Sequence, residues 1–240
     1  MRRFSAFLYV ALLAGVSAAH AFDVPDVKYP DLAKAAASAE GFVPAGWKLE
    51  KQIAGDLNAD GIADLVLVLR QTDPNNVISH DILGENPLDT NPRILAVAFG
   101  RASPSGFVLA LENHTLIPRR EVPTADDPLS ERGGVVLEKG TLRIKLNYFT
   151  SAGGWSTSLT SHTFRWQNQR FELIGFDRRE LMRNSGEERE VSINYSTARM
   201  SITTGNMESN KKTVSWRNLP RRPLLTIERI GNGVEFEPEK

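Results

Sequence analysis

The chain has 240 residues, with 29 Lys plus Arg against 29 Asp plus Glu, four histidines and no cysteine. An apolar fraction of 41% and a charged fraction of 24% belong to an ordinary globular domain and exclude a chain that is disordered throughout. The balanced charge argues against a nucleic-acid binder working through a broad basic field, and the missing cysteines eliminate disulfides, thiolate metal sites and a Cys nucleophile.

Met1-Arg2-Arg3 is followed by an uncharged run from Phe4 to Ala19 and by the small-x-small pattern Ala19-His20-Ala21. This is the layout of a secretory signal peptide cleaved after Ala21. The run is shorter than the ~20 apolar residues of a membrane-spanning helix, and no later stretch is long enough either. The expectation is therefore a signal peptide at 1–21 and a single β-rich domain at 22–240. That domain would be periplasmic or secreted, with no membrane span after cleavage.

The segment from Pro30 to Gly41 predicts a short N-terminal helix. Asp31 can cap the first turn, alanines fill the interior and Gly41 suits the C-terminal stop. A turn-rich connector, Gly41 to Trp47, follows. Next come three continuous apolar runs, Leu65–Leu69, Ile94–Phe99 and Phe107–Leu111, as expected of strands covered on both faces. Ser103-Pro104-Ser105-Gly106 reads as the turn between the last two.

Further along, the pattern alternates. Leu142, Ile144, Leu146 and Tyr148 share one face and Arg143, Lys145 and Asn147 the other, and Val191, Ile193 and Tyr195 repeat it. Val214 and Trp216 read as a third such face, with cations solvated opposite. Period-two alternation marks half-exposed antiparallel strands. Hairpin turns are expected at Glu138-Lys139-Gly140-Thr141, Gln167-Asn168-Gln169-Arg170 and Gly231-Asn232-Gly233. The predicted class is all-β, a mainly antiparallel sandwich or a partial propeller-like sheet assembly. Two loops, 71–93 and 151–157, exceed what connectivity requires, and the second presents Trp155 as a recognition surface for a sugar or protein.

The segment richest in chemistry is Asp56-Leu57-Asn58-Ala59-Asp60-Gly61-Ile62-Ala63-Asp64. Oxygen side chains stand at positions 1, 3, 5 and 9 of a loop, with glycine at 6 for the sharp turn. Calcium takes six to eight oxygen ligands, and this spacing lets Asp56, Asn58, Asp60, the Ile62 carbonyl and Asp64 converge on one ion. Without a counterion the three carboxylates would repel one another. Leu67 stands where an EF-hand needs a bidentate Glu, and the exit is a Val/Leu strand, so this is not an EF-hand. The loop instead resembles the calcium loops of the FG-GAP and VCBS repeat families, D-x-[DN]-x-[DN]-G-x-x-D, which join two strands. The resemblance implies a structural Ca2+. The wider stretch from Phe42 to Leu69 looks like bacterial exported proteins that carry one such loop and have no assigned activity.

Other candidates are weaker. His80, His114 and His162 have no metal-ligand spacing, and neither Gly-x-Ser-x-Gly nor Ser-x-x-Lys occurs. Lys211, Lys212, Arg217, Arg221 and Arg222 surround Trp216 and could hold an anionic polymer. The sequence thus points to an exported, non-enzymatic binding module with a structural calcium ion. Its partner would be a protein or an envelope glycan, not nucleic acid. Alternatives are an envelope-directed hydrolase with a structural calcium and an immunity or inhibitor-type periplasmic protein.

Overall fold

The computed structural model describes residues 23–130 and 132–238, so the expected signal peptide at 1–21 lies outside the described residues. The first half of the chain forms β1 (Ala35–Ala36), β2 (Trp47–Gly55), β3 (Asp64–Gln71), the short β4 (Val77–Ile78) and β5 (Leu88–Asp89), then β6 (Arg93–Ala102) and β7 (Ser105–Asn113). The second half forms β8 (Gly134–Glu138), β9 (Thr141–Tyr148), β10 (Ser156–Gln167), β11 (Arg170–Met182), β12 (Glu187–Asn194), β13 (Arg199–Asn206) and β14 (Ser209–Asn218). All pairings are antiparallel. One sheet has the order β1-β7-β6-β3-β2, the other runs β14 to β8 as an unbroken meander, and β4 pairs with β5 alone.

The two large sheets stack. Val66 and Val68 of β3, Leu95 and Val97 of β6 and Leu111 of β7 share one core with Leu142, Ile144 and Leu146 of β9, Phe164 of β10 and Leu173 of β11. The alternate residues Leu65, Leu67, Leu69, Ile94, Ala96 and Ala98 point the other way and are covered by Leu32, Ala39, Phe42 and Trp47. A strand covered on both faces has no use for polar alternation, which is why β3 and β6 read as continuous apolar runs. The chain is all-β, with its two large antiparallel sheets packed as a sandwich.

The expected N-terminal helix is corrected. Ala35 and Ala36 are extended and pair with Val108 and Phe107, and only one 3-10 turn, Ala39–Phe42, is helical. A helix of about twelve residues is marginal by itself, whatever its alanine content. The extended segment offers more, an edge pairing with β7 and burial of Leu32, Ala39 and Phe42 over the sheet. Tertiary burial outweighs local propensity here.

The hairpins at Lys139-Gly140 and Asn168-Gln169 form, with all four residues at positive φ as a two-residue turn between twisted strands requires. The expected hairpin at Gly231-Asn232-Gly233 does not. That stretch follows a 3-10 turn, Ile227–Arg229, and the Gly233 amide donates to the Leu116 carbonyl at 3.1 Å. A Cβ on Gly233 would sit 2.6 Å from Leu146 Cδ1 and 2.7 Å from the Leu116 oxygen, so glycine is there for close approach.

Past the sandwich, the inner face of the seven-stranded sheet continues through Phe176, Val191, Ile193 and Met200, with Leu219 and Phe236 of the C-terminal segment packed on it. Arg178 fastens that segment, donating to the Val234 and Phe236 carbonyls and to Glu237. His162 is fully buried between Phe176 and Phe236, with neither ring nitrogen hydrogen-bonded. Burial, reinforced by the charge of Arg178, pushes its pKa down to about 3. An imidazole neutral when folded but free to protonate when unfolded binds fewer protons in the native state between about 3 and 6.5. Its contribution to stability is therefore intact at neutral pH and is lost as pH falls across that window. A His162→Phe variant should show a shallower loss of stability between pH 6.5 and 4, read by urea denaturation at stepped pH.

Candidate functional site

The Asp56–Asp64 segment is the tip of the β2–β3 hairpin, and hydrogen bonds to its own side chains fix its shape. Asp56 Oδ1 accepts the Ala59 amide at 2.7 Å and Oδ2 the Gly61 amide at 2.9 Å. Asn58 Oδ1 accepts the Asp60 amide at 3.0 Å, and Asp60 Oδ1 accepts the Ile62 amide at 2.8 Å. Asn58 Nδ2 donates to Asp60 Oδ2 at 2.9 Å. Ala59 and Gly61 take positive φ, +64° and +83°, to turn the chain.

Asp64 is different in kind. It is buried, with Oδ2 accepting the Leu57 amide at 2.7 Å and Oδ1 the Gly100 amide of β6 at 2.9 Å. It ties the base of the loop to the neighbouring strand. Burial pushes its carboxyl up. The two amides pull it down, the charges of Asp60 and Asp56 push it up again, and the balance lies above the ordinary carboxylate range. Gly100 makes the contact possible, because a Cβ there would lie 2.4 Å from the Ala63 carbonyl oxygen.

The five candidate ligands lie on one hairpin, with Asp56 and Asp60 exposed, Asn58 and Ile62 half-buried and Asp64 buried. The side chains of Asp56, Asn58 and Asp60 are turned onto the loop's own amides, and that of Asp64 onto the Leu57 and Gly100 amides. Among the described residues, no group of three or more His, Cys, Asp or Glu side chains is gathered so as to hold a metal ion. The donor set nevertheless fits a hard cation, since it is all oxygen and each carboxylate oxygen that accepts one amide keeps a second lone pair.

The long 71–93 loop is packed. Asn76, Thr90 and Asn91 are buried, and Arg119 donates to Asn76 Oδ1 and Thr90 Oγ1, both at 2.9 Å. Segment 120–126 joins it to the Trp155 loop. The Glu85 amide donates to the Pro123 carbonyl, the Ser151 amide to the Thr124 carbonyl and the Asp126 amide to the Phe149 carbonyl. Arg183 then ties the Thr150 and Gly154 carbonyls at 2.7 Å each. Leu83, Val122 and Trp155 are exposed along this end. It lies at the end of β3 opposite the Asp56–Asp64 loop, so an ion there would not touch this surface.

Trp216 and Val214 correct an expectation, for β14 is exposed along its whole length and both side chains face outward. Trp216 carries the Arg199 guanidinium 4.8 Å from its ring centre. The basic stretch also divides, with Lys212 paired to Glu188 and Arg221 and Arg222 lying in the segment after the strand. Of the histidines, His114 bonds Glu112 at 2.9 Å and stacks on Tyr29, His80 contacts the Glu85 carbonyl at 2.8 Å, and His162 is in the core.

Sequence reasoning missed an ion-pair cluster at the far end of the first sheet. Arg93 forks onto Glu50 and Asp127, with Nη2 at 2.9 Å from Glu50 Oε1 and 2.7 Å from Asp127 Oδ2. Arg70 adds contacts to Glu50 at 3.4 Å and Asp89 at 3.0 Å. Glu50 reaches them because it is the extra residue of a bulge, skipped where Leu49 pairs with Leu69 and Lys51 with Val68. Among the described residues no helix is long and apolar enough to cross a membrane. Compared with protein-family models, with curated proteins and with solved structures, the chain matches none of them.

Proposed function

We propose that this is an exported, non-enzymatic binding module whose Asp56–Asp64 hairpin takes a structural calcium ion, in the manner of the FG-GAP and VCBS loops it resembles. The observation that carries the reading is the electrostatics of the hairpin. Burial first, and after it the charges of Asp60 and Asp56, hold the Asp64 carboxyl above its usual range, so three carboxylates share one hairpin tip. A divalent cation among them turns that repulsion into attraction. Asp56, Asn58, Asp60 and the Ile62 carbonyl would supply the outer oxygens, and Asp64 the inner one. The ion would fix the hairpin against β6, where Asp64 already reaches Gly100. Binding of a protein or an envelope glycan belongs to the other end of the sandwich, where the Trp155 and 71–93 loops are tied together.

Loops of this kind in extracellular modules bind with dissociation constants of roughly 0.1–1 mM. At a hundredfold excess the expected stabilisation is about 2.7 kcal/mol. For a domain of this size that raises the melting midpoint by about 5–10 °C over the same protein in chelator. Magnesium should give a smaller shift, since it dehydrates reluctantly and demands octahedral geometry. An Asp60→Ala variant should fold in chelator with a midpoint close to the parent's and lose the calcium shift. Identical midpoints for the parent with calcium and with chelator would overturn the ion reading.

A further inference from the structure

We propose that the cleft between the C-terminal segment and the inner face of the seven-stranded sheet binds an anionic amphiphile with a single apolar chain. The proposal rests on the reading of the protein as a binding module and adds a second site, apart from the Trp155 end; it does not need the ion.

The cleft has a volume of about 770 Å3, within the range of small-molecule sites. Its construction follows from segment 219–225, Leu-Pro-Arg-Arg-Pro-Leu-Leu. At one end the Leu219 amide donates to the Ala198 carbonyl at 2.8 Å. At the other, the Leu173 amide donates to the Leu225 carbonyl at 2.8 Å. Between these ties the chain makes no strand pairing, and Pro220 and Pro223 stiffen it. It therefore arches over the sheet as a strap pinned at both ends.

Beneath the strap the lining mixes apolar side chains, the half-buried Leu225 and Phe236 over the buried Leu173 and Met200, with the polar Gln167, Ser196 and Asn218. The rim carries Arg165, Arg221 and Arg222, all exposed. None of these three is within ion-pair distance of a carboxylate among the described residues, and Glu237, the acid at the cleft, is engaged by Arg178 at 3.1 Å. Unspent guanidinium groups favour carboxylate or phosphate oxygens, which they can bind with two parallel hydrogen bonds.

An apolar floor under a cationic rim selects against the other candidate classes. A glycan would leave the floor unmatched, and an anionic polymer would engage the rim alone. A molecule with one acidic head and one hydrocarbon tail matches both.

The test is calorimetric titration of the purified chain with straight-chain carboxylates from octanoate to dodecanoate, all below micelle formation. One site is expected, with affinity rising about three- to fourfold for each added methylene. Dodecyl phosphate should also bind, and its ranking against dodecanoate separates a phosphate-headed lipid from a fatty acid as the source. Dodecyltrimethylammonium should not bind. Arg221→Glu with Arg222→Glu, on an exposed arch, should weaken dodecanoate about tenfold or more with the melting midpoint unchanged. Equal binding of the cationic chain, or indifference to the double arginine variant, would overturn the proposal. Each titration is run in calcium and in chelator. Failure of dodecanoate with the calcium melting shift intact sinks the cleft alone, whereas dodecanoate binding without a calcium shift sinks the ion alone.

Discussion

An Arg93→Met variant should lose about 3 kcal/mol of stability, the lower end of what breaking a buried ion pair costs. Arg93 is 7% exposed and is the hub of a five-residue cluster that joins β2, β3, β5, β6 and the segment carrying Asp127. Removing it leaves Glu50 and Asp127 facing each other, with Arg70 the cation that remains among the described residues, at 3.4 Å from the first and 3.9 Å from the second. Both carboxylates keep about a quarter of their side-chain surface in water, which is why the low end of the range applies. Methionine matches the volume of the aliphatic stem, so the loss reports charge and hydrogen bonds and not a cavity. Urea denaturation of parent and variant measures it. A loss below about 1 kcal/mol would mean that water solvates the two acids as well as Arg93 does.

The same cluster gives a pH signature. Burial alone would push the Asp127 carboxyl up. The hydrogen bonds and charge of Arg93 outweigh burial, with help from the Leu129 amide and the charge of Arg70, and hold it below the ordinary value of 3.8. Between those two pKa values the unfolded chain binds more protons than the folded one. The stabilisation is therefore present above about 3.8 and is lost as pH falls through the lower, folded value. The difference between parent and Arg93→Met should hold at neutral pH and narrow as pH falls, beginning where the variant's Asp127, now raised by burial without Arg93 to offset it, takes up a proton above 3.8. The His162 effect sets in earlier, between 6.5 and about 3, so the two acid responses are separable by pH as well as by variant.

How much of this the sequence discloses depends on whether the interaction is local. Leu65–Leu69 and Leu142–Leu146 announce strands because burial on two faces or on one leaves a pattern that a single stretch carries. The Lys139-Gly140 turn is legible for the same reason. The segment after Pro30 misleads because its alanines favour a helix locally, while its partner, β7, lies about seventy residues away in the chain. Val214 and Trp216 alternate like buried residues, but β14 is the last strand of a sheet that outruns its covering layer, and nothing near those residues says so. The Asp56–Asp64 hairpin is legible in its Asp, Asn and Gly spacing. The role of Asp64 as an anchor is not, because it depends on Gly100, a strand away. An isolated glycine inside an apolar run is the one available hint of such a close approach. The Arg93 cluster and the cleft under the 219–225 strap leave no local trace at all, since their members are far apart in sequence.

That distinction makes Asp64 the most informative residue of the loop. Asp64→Ala should destabilise the protein in chelator, with no ion involved, because it strands the buried amides of Leu57 and Gly100. Each unsatisfied amide costs about 1–3 kcal/mol. Asp64→Asn should recover part of the loss, since its carbonyl oxygen can keep one amide while its amino group faces the other. Asp60→Ala touches only exposed loop contacts, so in chelator it should melt near the parent and differ from it only when calcium is added. If Asp64→Ala and Asp60→Ala behave alike in chelator, Asp64 is not the anchor its two amide bonds describe. If they differ there and converge in losing the calcium shift, a single hairpin does two jobs. Its inner carboxylate joins the strands, and its outer oxygens take the ion.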